Sequence, residues 1–239
     1  MATKKAAKGY SAESIKKFMA TSNELINHFS GKTEEFSACV SKGNRKIGHT
    51  MNVSLLPIKT CANCSGCARF CYDIKACLQY PQNVLSARVR NTVLAYENSE
   101  KYFSEIEKSI QSRKKNFFFR WHVAGDIPNY DYLANMVRIA KKYPYMTFWT
   151  YTKNYMVVNQ YVNDHGNKRK TAIPTNLSIM FSEWRGMEMI NPYNFPVFTC
   201  VFPEENIPRG FHKCSGNCND CIVNKTGCVI GKSSFTFLH

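Results

Sequence analysis

Eleven cysteines are the residues of this 239-residue chain with the clearest potential for chemistry. Eight of them form two groups, one near residue 65 and one near residue 220. The first ten residues, MATKKAAKGY, contain no apolar stretch of the kind that a secretory signal needs. Clustered cysteines outside a secreted context indicate metal or redox chemistry rather than disulfides. The odd total also prevents all of them from pairing within one chain.

The first group, Cys61, Cys64, Cys67 and Cys71, has the spacing C-x2-C-x2-C-x3-C. Bacterial ferredoxins use this run to hold a 4Fe–4S cluster, although Tyr72 stands here in place of the usual trailing proline. A zinc site would more often take two C-x2-C pairs separated by a longer loop. The spacing therefore predicts an iron–sulfur cluster, with zinc or free thiols as the alternatives.

The second group is Cys214, Cys218, Cys221 and Cys228. Its C-x3-C-x2-C part has the spacing of radical SAM enzymes, which leave one iron open for S-adenosylmethionine. In those enzymes the motif follows the first strand, whereas here it follows the last, and Cys228 would close the site. A second cluster is the prediction. A zinc site, or extra ligands to the first cluster, are the alternatives.

Polar side chains follow three of the predicted strands at the point where each strand ends. Parallel α/β sheets place their ligand sites at the carboxyl ends of the strands. We therefore take His122, Asp126 and Lys153 as candidate catalytic residues, against the alternative that each is an ordinary polar loop residue. Three further residues are predicted to face the same rim: Thr152, Ser182 and Glu183.

Apolar runs alternate with helical patterns along the middle of the chain, which predicts a parallel sheet with helical crossovers. The fold class is α/β, a partial or irregular TIM-type barrel. We expect an N-terminal lead over 1–50, a barrel-like domain over 51–208 with the cluster loop at 61–71, and a C-terminal metal-bound appendage over 209–239. Strands are predicted at 53–57, 117–123, 146–150, 177–181 and 197–202, and helices at 11–29, 82–112, 132–142 and 155–164.

The formal net charge is +15, from 32 Lys and Arg against 17 Asp and Glu. Twelve of the 32 basic residues occur in five short runs, and each run alone is typical of a solvated surface. Together they would attract nucleic acid or another polyanion. No apolar run approaches the ~18 residues of a membrane span, so we expect a cytoplasmic protein without a membrane partner. The basic runs are at 4–5, 16–17, 113–115, 141–142 and 168–170.

Taken together, these motifs resemble the phage and mobile-element "gene product 88" family over roughly residues 40–230. The resemblance implies a cysteine-bound cluster on a radical-SAM-like barrel, with Cys61, Cys67 and Cys71 matching the three cysteines of the family pattern. Gly125 and Asp126 also resemble the Gly-Gly-Glu strand end by which radical SAM enzymes hold the cofactor's methionine group. The resemblance is carried by segments 43–46, 56–61, 67–72, 119–126 and 151–153 and by the C-terminal cysteines.

The sequence thus predicts an iron–sulfur protein with redox or radical chemistry at the barrel mouth, supplied with electrons by a donor protein. The alternative is a nucleic-acid-binding or regulatory module in which clusters act as staples or redox sensors, and a third is a zinc-stapled structural protein. Aspartate replaces the glutamate of the Gly-Gly-Glu pattern, and only one glycine is kept. We therefore expect no ordinary turnover of S-adenosylmethionine.

Overall fold

Seven strands, all paired in parallel, form the central sheet of the computed structural model, which describes residues 9–44, 46–64, 66–113 and 115–238. The sheet is curled into an open half-barrel. Its order is β1-β2-β3-β4-β5-β7-β6, so β7 lies between the two strands that precede it in the chain. The strands are β1 (Met51–Asn52), β2 (Phe118–Arg120), β3 (Thr147–Thr152), β4 (Leu177–Glu183), β5 (Val197–Val201), β6 (His212–Lys213) and β7 (Ser234–Phe237).

Helices cover the convex face of the sheet, as the alternation of strands and helical patterns predicts. The largest core cluster joins outward-facing strand residues such as Phe148 and Ile179 to apolar residues of the surrounding helices. The helices are α1 (Ala12–Phe29), α2 (Tyr72–Gln79), α3 (Ser86–Glu97), α4 (Ser99–Ser112), α5 (Tyr130–Lys142), α6 (Tyr155–Asp164), α7 (Arg169–Ala172) and α8 (Cys218–Val223). None of the described helices is both long and apolar enough to cross a membrane.

The helical stretch predicted over 82–112, whose apolar positions fit one or two helices, is two helices in the structure, α3 and α4. Asn98 separates them, because its non-helical backbone ends α3 while its side chain accepts a hydrogen bond from the Lys101 N–H at the start of α4. A single turn of π-helix over Pro81–Leu85 precedes α3. The predicted helix over 155–164 has the same bounds as α6.

The first strand is shorter than predicted and lies earlier, at Met51–Asn52 rather than 53–57. The chain beyond it stays beside β2, since Val123 N–H bonds to Val53 O and Leu55 N–H bonds to Ala124 O. On its other side, polar side chains of α3 take the place of a neighbouring strand. Asn91 Nδ2 donates to Ser54 O, and Thr92 Oγ1 accepts from the N–H of Leu56. Residues 53–57, which follow β1 and lead toward the first cysteine group, are therefore all buried and fixed on both sides.

The C-terminal segment predicted as an appendage contributes two strands to the main sheet. β7 pairs with β5 on one side and with β6 on the other. Between β6 and β7 the chain crosses the concave face, where Cys221 and Val229 pack on the fully buried Trp149 of β3. The boundary placed at residue 208 thus separates neighbouring strands of one sheet.

The N-terminal lead contains one amphipathic helix, as predicted, and Ser11 caps it by accepting a hydrogen bond from the Ser14 N–H. The apolar face of α1 packs against α2 and α3, with Phe18 fully buried. The basic pair at 4–5 lies outside the described residues.

Candidate functional site at the mouth of the half-barrel

The cluster loop, residues 61–71, lies across the carboxyl ends of three neighbouring strands. Asn63 Nδ2 donates to Lys153 O just after β3, at 3.3 Å. Gly66 approaches the ring of Trp184, which follows β4, so closely that an added Cβ would lie 3.0 Å from it. The ring of Phe70 lies 5.8 Å from Trp184 and 6.4 Å from Phe202, which follows β5. The loop therefore covers the mouth of the half-barrel, where parallel α/β folds place their ligand sites.

The start of the cluster loop is fixed against the end of β2 by a close backbone approach. Gly125 has a φ of +83°, and a Cβ there would lie 2.7 Å from Leu55 Cβ and 2.8 Å from Thr60 Oγ1. The Asp126 N–H donates to Thr60 Oγ1, and that hydroxyl donates to Leu56 O. Gly125, predicted to bind a cofactor, allows in this structure the close packing that positions the first cysteine.

The end of the loop is held by α2, which begins directly after Cys71. Asp73 in the first turn of α2 forms a buried ion pair with Arg88 of α3, and its two oxygens accept from Nε and Nη2 at 3.2 Å each. A bidentate ion pair of this kind fixes the relative orientation of the two helices as well as their distance. Both ends of the loop are thereby anchored to the core.

Burial raises the pKa of three of the four loop thiols. The pKa of Cys61 lies well above its ordinary value, and Asp126, Cys71 and Cys67 raise it further. Burial likewise raises the pKa of Cys71 to about 11, with Cys67 among the smaller causes. For Cys64, burial is again the first cause, followed by Cys67. Cys67 is thus close enough to affect each of the other three thiols of the loop.

Asp126 is 4% exposed and already has partners at both carboxylate oxygens. One oxygen accepts from the N–H of Lys153 at 2.8 Å, and the other from the N–H of Ile127 at 2.7 Å. Burial raises its pKa to about 6, against the lowering effect of Thr152 and of these backbone donors. The carboxylate joins the ends of β2 and β3 beneath the cluster loop.

Beside the loop, a cavity of about 410 Å³ opens between the ends of β4 and β5. The ammonium of Lys153 donates to Ser182 Oγ at 2.9 Å at the end of β4. Cys200, which its place in a strand suggested was a buried apolar residue, lines the cavity. Burial, then Glu205, raises the pKa of Cys200 to about 11, whereas Lys153 lowers it. A single cysteine within an apolar strand gave no sequence signal for this placement.

His122, predicted to line the mouth, lies on the other side of the sheet. Side chains alternate between the two faces of a strand, so His122 would share the concave face with Arg120, two residues earlier. The φ of +54° at His122 reverses this direction, and its ring points to the helices. Nδ1 lies 3.1 Å from Thr150 Oγ1, and Nε2 lies 3.1 Å from the hydroxyl of Tyr132 on α5. Burial, followed by the charge of Arg120, lowers its pKa to about 3. His122 is a neutral structural residue in this arrangement.

This environment predicts a specific response of stability to acid. The unfolded chain binds a proton at His122 near pH 6.5, and the folded chain does not until about pH 3. The stability contributed by neutral His122 is therefore complete above pH 6.5 and is lost as the pH falls, by about 1.4 kcal/mol per pH unit. We expect the variant His122→Asn to lose this dependence, because asparagine tolerates a positive φ and does not titrate. Between pH 6 and 4, its free energy of unfolding should change by about 1.4 kcal/mol less per pH unit than that of the parent.

Urea denaturation at several pH values measures this slope. The matched control is His28→Asn, which removes an exposed imidazole at the end of α1 and should leave the slope as in the parent. Equal slopes for His122→Asn and the parent would show that His122 is not held neutral.

The C-terminal cysteines form a second group on the concave face, below the mouth. Burial is the first cause that raises the pKa of Cys221, to about 11, and the other three thiols of the group, Cys214, Cys228 and Cys218, contribute in that order. The segment is fixed to the sheet, since Ser178 Oγ donates to Cys228 O at 2.9 Å. Three thiols of the group thus influence the fourth, Cys221, although no three of the described side chains here stand close enough to hold a metal ion as they are placed.

Arg120 lies between this group and the mouth, and it was not singled out as a site residue from the sequence. Its guanidinium lies 4.9 Å from the ring centre of Tyr151, and Nη1 lies 3.9 Å from Cys218 Sγ. Its Nε is buried with no hydrogen-bond partner in the described structure. Burial lowers the pKa of this guanidinium, but Tyr151, Tyr72, Cys218 and Cys228 together raise it above its ordinary value.

The spacing of the side chains and the type of donor atom decide which metal group the two cysteine groups fit. Across residues 9–238, apart from 45, 65 and 114, no three His, Cys, Asp or Glu side chains stand close enough to hold a metal ion as they are placed. A zinc ion requires its thiolates at about 2.3 Å, whereas an iron–sulfur cube holds each thiolate at a separate corner. Two groups made of thiols alone, one beside a buried guanidinium, fit an anionic iron–sulfur cluster in ligand type and charge.

Comparison with known proteins gave one match. A family model described as Gene product 88 matches residues 20–229. No curated protein matches the chain, and no solved structure matches it. The matched range contains the cluster loop, the strand ends at Asp126 and Lys153, and the C-terminal cysteines through Cys228. Because the match covers most of its length, the chain belongs to the Gene product 88 family.

Proposed function

We propose that this chain is an iron–sulfur protein of a phage or mobile genetic element that carries out redox chemistry at the mouth of its half-barrel. Cys61, Cys67 and Cys71 would hold the cluster, with Cys64 apart. The observation that carries the proposal is the position of this cysteine loop, which covers the carboxyl ends of three neighbouring strands. When bound, a 4Fe–4S cluster supplies one electron at a time.

The surrounding residues have separate parts in this proposal. Gly125 and Asp126 hold the loop in place through Thr60 and the N–H of Lys153. The ammonium of Lys153, held by Ser182 Oγ, places a positive charge beside the cavity of about 410 Å³. An anionic substrate group would be attracted to that position. We propose Lys153 as the catalytic residue at the mouth, supported by the contact of its ammonium with Ser182 Oγ.

S-adenosylmethionine is not part of the proposal. The residues that would hold its methionine amino group are Gly125 and Asp126. Both oxygens of Asp126 already accept hydrogen bonds from backbone N–H groups, and the side chain is 4% exposed. A carboxylate in that state is a poor partner for an incoming ammonium. We therefore expect no 5′-deoxyadenosine when the cofactor is added to the reduced protein.

The C-terminal group is proposed as a second metal site, held by Cys214, Cys218, Cys221 and Cys228. Cys221 and Cys228 are buried and Cys218 is half-buried, and burial makes these thiols costly to ionise unless a cation neutralises them. Arg120 supplies one positive charge at their edge, and a bound cluster would supply the rest. Truncation after Pro208 is unsuitable as a test, because it would also remove β6 and β7.

Single cysteine substitutions test the first site. We expect anaerobically purified protein to absorb broadly near 400 nm, and Cys61→Ser, Cys67→Ser and Cys71→Ser each to lose most of the iron of the first site. Cys64→Ser is the matched control, since it removes a thiol of the same loop, and it should retain the iron. Iron analysis and EPR of the reduced protein give the readout.

Two results would contradict the proposal. One is colourless protein with stoichiometric zinc and no iron. The other is an iron content in all four variants equal to that of the parent protein, which would show that the loop binds none of the iron. Formation of 5′-deoxyadenosine by the reduced parent protein would overturn the exclusion of S-adenosylmethionine while leaving the cluster itself in place.

A further inference from the structure

The parallel sheet gathers several basic runs of the sequence at one of its edges. In a parallel sheet, the segments that lead into the strands all lie at the amino ends, opposite the mouth. The four segments 42–50, 113–117, 141–146 and 165–176 lead into β1, β2, β3 and β4. Because these strands are neighbours in that order, the segments lie side by side. We call them together the amino-end face.

The amino-end face is strongly and uniformly basic. Its four segments contain no Asp or Glu in the sequence. The nearest acids border it: Glu107, which pairs with Lys142 and Arg138, and Asp164 at the end of α6. Seven of its nine described basic residues are exposed, and Arg113 and Arg169 are half-buried. The nine are Lys42, Lys46, Arg113, Lys115, Lys141, Lys142, Lys168, Arg169 and Lys170.

Two aromatic rings stand exposed in the middle of this charge. Phe117 is 47% exposed and Tyr145 is 59% exposed, and their ring centres are 6.3 Å apart. Their backbones are held in place, since the Thr147 N–H donates to Phe117 O at 2.8 Å. Asn176 Nδ2 ties the fourth segment to the third through the carbonyls of Tyr143 and Met146. The rings are therefore presented on a rigid base.

We propose that the amino-end face binds single-stranded nucleic acid. Lysines and arginines along neighbouring segments suit a phosphate backbone, and exposed rings offer the faces on which unpaired bases stack. A membrane surface or a folded acidic protein would use the charge but would have no need of two exposed rings, which here meet edge to face at an interplanar angle of 84°. The face lies at the opposite edge of the sheet from the cluster loop, so this proposal does not depend on metal binding.

Binding is measured by fluorescence anisotropy with labelled oligo-dT and oligo-U of about 20 nucleotides, longer than the ~4–16 nucleotides of a typical single-stranded site. The test variant is Lys115→Gln/Lys141→Gln/Lys168→Gln, one change in each of three segments. With one phosphate contact per lysine, we expect affinity to fall about 100-fold at ~0.1 M salt and the salt slope to fall by about 2. Comparing the two oligonucleotides separates DNA from RNA.

The matched control is a second triple variant with the same loss of charge, Lys16→Gln/Lys17→Gln/Lys32→Gln. These lysines are exposed on α1 and just after it, away from the amino-end face. We expect this variant to keep most of the affinity of the parent. Thermal unfolding followed by circular dichroism confirms that both triple variants remain folded. Equal losses in the two triple variants would overturn the proposal, because they would show that total charge alone drives binding.

Substituting the rings tests the stacking part of the proposal. We expect Phe117→Ala/Tyr145→Ala to weaken oligonucleotide binding about 10-fold or more without a change in salt slope. The control is Tyr80→Ala, which removes an exposed ring from the end of α2. Unchanged affinity in the double variant would overturn the proposal. Equal affinity for duplex DNA, or binding to vesicles of anionic phospholipid but not to oligonucleotides, would also overturn it.

Discussion

Gly125→Ala is expected to destabilise the protein by about 3 kcal/mol or more and to release the cluster loop from the end of β2. A Cβ at this position would meet Leu55 Cβ at 2.7 Å, Thr60 Oγ1 at 2.8 Å and Leu55 O at 2.9 Å. One of these atoms is backbone, and all belong to the buried segment before Cys61, so relief requires that segment to move. Overpacking of this kind costs typically 1–3 kcal/mol, and a positive φ adds to it. Domains are stable by only ~5–15 kcal/mol in total.

Gly210→Ala separates the two causes of that loss. Gly210 also has a positive φ, +77°, but no atom lies within 4 Å of a Cβ built there. We expect this variant to lose only the conformational part, about 1 kcal/mol. Urea denaturation gives the free energies of unfolding, and the rate of alkylation of Cys61 reports on the loop. Equal losses in the two variants, with Cys61 no more reactive, would show that the close approach at Gly125 does not hold the loop.

The sequence predicted the convex half of this fold well, because periodicity is a local signal. Helix α6 was predicted to the residue, and the helix predicted over 11–29 differs only in that Ser11 is its N-cap. The last two strands were missed for the opposite reason. β6 is two residues long, and β7 lies in a cysteine-rich segment that the metal hypothesis had already explained as an appendage. Short strands stabilised mainly by their neighbours leave little pattern in the sequence.

The candidate site was predicted in part. Asp126 and Lys153 lie at the mouth, as expected from the rule that parallel sheets place their ligand sites at the carboxyl ends of the strands. This rule depends only on where the buried strands end. It failed for His122, because one left-handed φ at a non-glycine residue reverses the direction of a side chain and has no sequence signature. Arg120 was missed because its partners, Tyr151 and Cys218, are distant in the sequence and meet it only on the concave face.

Arg120→Met is expected to have opposite effects on stability depending on whether the C-terminal thiols carry a metal. The guanidinium is buried, its Nε lacks a partner in the described structure, and its Nη1 faces Cys218 Sγ at 3.9 Å. A buried cation without an anion is costly, whereas one beside a thiolate-bound cluster is compensated. In metal-loaded protein, removing it would leave buried negative charge uncompensated, at a cost of about 3 kcal/mol.

The comparison background is a chain in which all four C-terminal cysteines are replaced by serine. No thiolate is present there, so Arg120→Met removes an unpaired charge and should be neutral or stabilising. Arg120→Lys retains the charge and should lose less than Arg120→Met in the metal-loaded parent. Urea denaturation of anaerobically purified proteins, with iron analysis of each, measures the coupling between the arginine and the thiols. If Arg120→Met costs the same in both backgrounds, Arg120 acts through its packing on Tyr151, and its charge gives no support to a C-terminal cluster.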